Sequence, residues 1–164
     1  MNAESSPLTP DQRKSDKYPE YFEPKEEYIV KAVLVPAATK DTILFPTTQD
    51  SVQKPFKNMG KLVFALDGSQ RELKAFLPIH DHEEGEADHD HFLFVPFTDD
   101  SNGKESYQGG RYIDIQLEKG FEYILDFNMT YNPYCAYNQN YSCPIVPEEN
   151  HLSTKILAGE KNYK

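Results

Sequence analysis

Apolar positions in this chain fall into short runs with a period of two, separated by turn residues. Residues 28–35, 42–45, 62–66, 73–79 and 92–97 each read as a strand. Asp67-Gly68 sits between the third and fourth runs and predicts a two-residue hairpin. Further on, Ile113, Ile115 and Leu117 share one face of a run over 111–117, while Tyr112, Asp114 and Gln116 share the other. Phe121, Tyr123, Leu125, Phe127 and Met129 alternate in the same way over 121–131. The two runs predict a hairpin that pairs Leu117 with Phe121 and sets Arg111 opposite Phe127. Leu152, Thr154, Ile156 and Ala158 predict a final strand. Such spacing predicts an all-β domain, an antiparallel barrel or sandwich of short strands with little helix. Residues 1–27 are polar and read as an irregular arm, with one short helix over 9–15 capped by Thr9 and opened by Pro10. Residues 28–164 then form a single β domain, and no internal repeat is visible.

Composition supports this picture. Ten Phe and eleven Tyr supply the area that a hydrophobic fraction of 38% does not, and twelve prolines oppose long helices. A net charge of −10 without a Lys/Arg cluster argues against a nucleic-acid partner or an anionic membrane surface. Mean hydropathy is −0.72, and no run approaches the roughly 20 apolar residues of a membrane span.

Three constellations carry candidate chemistry. Four of the five histidines lie in residues 79–91. Folded as a hairpin with Gly85-Glu86 at its tip, this stretch sets His80 against His91 and His82 against His89 on one face, an arrangement suited to zinc. The competing reading is a solvated extension that keeps a sheet edge polar. The second constellation, residues 99–111, holds Asp99, Tyr107, two glycines at 109 and 110, and Arg111. Arg111 either clamps a carboxylate or phosphate, or forms a buried pair with Asp99 or Asp126. The third, residues 126–150, is dominated by Asn and Tyr and holds both cysteines. Cys135 and Cys143 read as a disulfide, as paired thiols, as metal ligands, or as a nucleophile at Cys135, with Glu149 or His151 as base.

These residues carry a resemblance. Residues 94–99, Asn102-Gly103, Tyr107, 110–114, 125–128, 131–137, Cys143-Pro144, Pro147, Glu149-Asn150 and 158–160 are similar to the signature of domain-of-unknown-function family 1684. Ser6-Pro7-Leu8 and the strand at 28–32 extend the likeness over nearly the whole chain. The resemblance implies a bacterial or archaeal protein and a location for the site, without a reaction. Family members usually carry more chain ahead of Ser6. That implies a removed leader and a periplasmic or extracytoplasmic protein; a chain without a leader implies a cytoplasmic one. The histidine stretch falls where the family varies.

The expectation is therefore a small-molecule binding module. Asp99, Tyr107, Arg111, Asp126, Asn128, Asn132, Tyr137 and Asn150 would converge at one end of the domain, with Arg111 holding an anionic group. The alternatives are a hydrolase- or transferase-like enzyme using Cys135 or Glu149, a metal-binding protein, and a structural domain whose motif residues form a buried polar network.

Overall fold

A computed structural model of the chain describes residues 7–15, 17–79 and 92–163. Its strands are β1 (Ile29–Pro36), β2 (Thr42–Pro46), β3 (Gln53–Leu66), β4 (Ser69–Pro78), β5 (Phe92–Asp99), β6 (Arg111–Gln116), β7 (Glu122–Asp126) and β8 (His151–Leu152). They form one curled half-barrel sheet in the order β6-β5-β4-β3-β1-β7, with β2 paired to β3 and β8 to β5. Every pairing is antiparallel except β5 with β8. Among the described residues no helix is long and apolar enough to cross a membrane.

The expected short helix is present as α1 (Pro10–Lys14), with a reciprocal capping box between Thr9 and Gln12. Gln12 Nε2 also donates to the Tyr137 carbonyl at 2.9 Å. Beyond it, a bridge joins Tyr21 to Glu160, so the arm lies along the C-terminal segment. The Asp67-Gly68 hairpin joins β3 to β4, with both residues at positive φ as its turn type requires.

Strand alternation explains the core. Leu73, Ala75, Leu93, Val95, Ile113 and Ile115 face the concave side of the sheet and meet Leu62, Phe64, Leu125 and Phe127 there. On the opposite side Phe45, Phe56, Phe76, Phe94 and Tyr112 form a second, aromatic cluster, capped by Val146 and Tyr131 from the Tyr/Asn-rich segment. The Tyr content of that segment is thus partly a lid over the second face. The histidine stretch lies outside the described residues.

Two pairings differ from expectation. β6 and β7 are not partners: β6 pairs with β5, and β7 with β1. Arg111 therefore sits opposite Phe97, not Phe127. The second strand of the expected hairpin ends at Asp126, because the Asp126 side chain accepts the Asn128 N–H and starts a 3-10 turn, Phe127–Met129. Phe121 and Met129 consequently stand in solvent, 57% and 69% exposed. The expected final strand shrinks to His151–Leu152, although Ile156 and Ala158 are fully buried. Their carbonyls are bound by a side chain and not by a ladder.

Candidate functional site

That side chain is Arg111. It has no exposed surface, and its Nη2 donates to Asp99 Oδ2 at 3.0 Å and to the Ile156 carbonyl at 2.7 Å. Its Nη1 donates to the carbonyls of Ala158 and Glu160. The guanidinium lies 5.5 Å from the centre of the Phe97 ring. Asp99, equally buried, accepts the N–H groups of Ser101 at 2.8 Å and Ile156 at 3.1 Å. Of the two expectations for Arg111, the structure presents the buried pair with Asp99. Both Nη atoms of its guanidinium are committed to the C-terminal segment. Burial lowers the Arg111 pKa, opposed by Asp99.

Two other expected ligand residues, Asn132 and Tyr137, join this interior network, while Asn150 and Asn128 bind backbone elsewhere. Asn132 N–H donates to Glu160 Oε2 at 2.7 Å, and its side-chain amide donates to the Lys161 carbonyl at 2.9 Å and the Tyr137 hydroxyl at 3.4 Å. Burial lifts the Glu160 carboxyl to about 7, against the Asn132 bond and the Arg111 charge. Asn150 accepts the Lys74 N–H at 2.8 Å and donates to the Lys74 and Pro96 carbonyls. Asn128 treats Lys25 in the same way, at 3.0 and 2.9 Å. Glu149 is exposed and ion-paired to Lys74 at 2.8 Å, which holds its carboxyl below the usual Glu range. His151 contacts Thr98 and Asp100. The bases expected beside Cys135 thus have other partners.

Cys135 and Cys143 are free thiols in contact. The Cys135 N–H donates to Cys143 Sγ at 3.1 Å, and Tyr107 Oη lies 3.9 Å from Cys135 Sγ. The bond from the Cys143 side chain, assisted by Tyr107 and Thr48, holds the Cys135 thiol down at about 6 against the opposing effect of burial. Cys143 is pushed up by the same partner, and burial pushes Tyr107 up to about 12. Among the described residues no group of three or more His, Cys, Asp or Glu converges as metal ligands, so the pair lacks further zinc donors there. Thr48, which no sequence pattern marks, fixes the loop by accepting the Cys143 N–H at 3.1 Å.

The glycines at 109 and 110 act by close approach. A Cβ on Gly109 would meet the Tyr107 ring at 2.6 Å, and one on Gly110 (φ +88) would meet the Phe97 carbonyl at 2.5 Å. They seat Tyr107 beside the thiols and bring Arg111 into β6.

A cleft opens elsewhere, where β6 and β7 diverge. One end is closed by the connection at 117–121, with the Tyr123 hydroxyl donating to the Glu118 carbonyl at 3.2 Å. The other is closed by Tyr112 and Tyr131, which exchange backbone bonds of 3.0 Å. Between them lies a cavity of about 530 Å³ with Ala32, Ile113, Ile115 and Tyr123 as its apolar floor. Asp114, Glu118, Glu122 and Asp126 line it with only Lys31 opposing them. Since Tyr112 turns its backbone groups toward this gap, alternation turns those of Asp114 and Gln116 the same way. On β7, Phe121 bonds Leu34 of β1, so Glu122 and Ile124 point their groups into the gap. The Tyr131 hydroxyl donates to Asp114 at 2.9 Å, while partial burial raises the pKa of that carboxyl. Of the expected ligand residues only Asp126 lines this cleft. Lys31, Asp114, Glu118 and Glu122 were missed. The polar face of β6 was a signal for Asp114; the others needed the pairing of β7 with β1.

Comparison with known proteins gives a concordant picture. The family profile described as "Protein of unknown function (DUF1684)" matches residues 17–161. A solution NMR structure of an uncharacterised protein from Haloarcula marismortui is 37% identical, with a TM-score of 0.73; the alignment covers 95% of this chain and 82% of that one. No curated protein matches the chain.

Proposed function

Because this chain belongs to the DUF1684 family of proteins of unknown function, its role has to be read from its own geometry, and we propose that it binds a small organic cation in the cleft between β6 and β7. The observation that carries this reading is the lining: four carboxylates against one ammonium, over an apolar floor. The size suits a small ligand, since pockets of roughly 300–1,000 Å³ are typical. Closure at both ends disfavours a through-running peptide strand. Backbone groups that β6 and β7 turn into the gap supply further hydrogen bonds. The charge pattern is thus the reverse of that expected for an anion held by Arg111: the cationic group of the motif is paired internally with Asp99, and the accessible charge of the cleft is negative.

Titration of isotopically labelled protein with hexylammonium, followed by amide chemical shifts, tests this. Shifts are expected at 113–116 and 122–126, and hexanoate should leave those amides unmoved. Asp114→Asn should weaken the amine about two- to fivefold, the size of a partly exposed ion pair of roughly 0.5–1 kcal/mol. Equal response to amine and carboxylate, or none at millimolar amine, would discard the reading.

A further inference from the structure

The two thiols lie apart from the cleft in sequence and strand, and they carry a separate inference. We propose that Cys135 and Cys143 form a hydroperoxide-reactive dithiol, in which Cys135 is the attacking sulfur and Cys143 the resolving one. Three observations converge. Cys143 Sγ accepts the Cys135 N–H at 3.1 Å, which sets the second sulfur directly against the residue that bears the first. Each is held independently. Cys135 sits in a 3-10 turn, Tyr134–Ala136, that follows Pro133. Cys143 is fixed by Thr48 at both its N–H and its carbonyl, the latter accepting the Thr48 N–H at 3.0 Å. Finally, the Tyr107 hydroxyl lies 3.9 Å from Cys135 Sγ, a donor that suits a thiolate. The contact between the two thiols, with Tyr107 assisting, favours ionisation of Cys135 over Cys143.

The choice of oxidant follows from access. Cys135 keeps 9% of its surface open and Cys143 6%, a window that suits a small oxidant and excludes a bulky disulfide. The Cys135 thiolate attacks one peroxide oxygen. A sulfur–oxygen bond forms and the oxygen–oxygen bond breaks. Sulfur is oxidised to the sulfenic acid, and the departing alkoxide or hydroxide takes a proton from solvent. The Cys143 thiol then attacks the Cys135 sulfur. The disulfide forms, the sulfur–oxygen bond breaks, and the oxygen leaves as water with the Cys143 proton.

Reduced full-length protein treated with hydrogen peroxide at pH 6 tests the proposal. Intact mass should show loss of two hydrogens, with both thiols vanishing together. The rate should exceed that of a cysteine in an unstructured peptide roughly tenfold: a thiol at about 6 holds ~150 times more thiolate there than one at ~8.5, and its lower nucleophilicity returns about 10- to 20-fold of that. In Cys143→Ser the sulfenic acid should persist and be captured by dimedone at residue 135. Should that variant not fold, the wild-type rate and product decide alone. Oxidation at the rate of the unstructured cysteine peptide, thiols lost without a disulfide, or dimedone capture at Cys143 in Cys135→Ser would each overturn the assignment.

Discussion

Asn150 and Asn128 each act as a spare peptide group. One side chain both accepts from and donates to the same backbone residue, Lys74 for Asn150 and Lys25 for Asn128. Asparagine does this because its amide carries donor and acceptor together. Asn150→Asp keeps the shape and loses the donors, leaving the Lys74 and Pro96 carbonyls short of partners. Chemical denaturation should show a loss of about 1–3 kcal/mol. Arg111 is the costlier residue. Arg111→Ala leaves Asp99 charged and buried without its partner, and should cost about 3–5 kcal/mol; pairing Arg111→Met with Asp99→Asn should recover much of it. The importance of Arg111 was legible, because a cation ends an otherwise apolar strand face and an aspartate lies twelve residues before it. What it holds was not legible. Its remaining partners are carbonyls of residues 156–160, and backbone acceptors leave no trace in a side-chain pattern.

Among the elements, those built from local signals match the sequence. The Asp67-Gly68 hairpin and the Thr9 cap are set by residues within a few positions of each other. The β6 and β7 runs were equally clear as strands, yet their proximity in sequence predicted the wrong partner. β7 finds β1 and β6 finds β5, choices made by the curl of the sheet at long range. The five-residue connection, with Gly120 at φ +103, lets the two strands splay. The proposed site exists only because of that splay, so it could not be seen before the pairing was known. Amide exchange should report it directly: the N–H groups of Asp114, Gln116 and Ile124 should exchange much faster than those of Ile113, Ile115 and Tyr123. Uniform protection along β6 and β7 would mean that the strands close on each other.

For the molecule as a whole, one sheet carries a core on each face, and the C-terminal segment is sewn into the first. Stability should follow the proton on Glu160. The folded carboxyl keeps its proton up to about 7, whereas an unfolded one releases it near ~4.3. Folding therefore takes up a proton between these values. The associated stability is present below the lower value and lost as pH rises through the upper. The loss should be about 1–2 kcal/mol after allowance for solvent screening, or a few degrees in Tm, and Glu160→Gln should flatten it. The all-β class and the aromatic core were legible from period-two runs; the second face needed the Tyr-rich segment to be seen as its cover. The fastening of the tail by Arg111 has a consequence for synthesis. Ile156 and Ala158 fill the core, and Tyr21 of the arm waits for Glu160. A nascent chain that has not yet exposed residues 156–160 lacks both, so the first core closes only once that segment has emerged. Until then Arg111 lacks the carbonyls of residues 156–160 and keeps Asp99 alone, and the interior is open along the side that this segment fills.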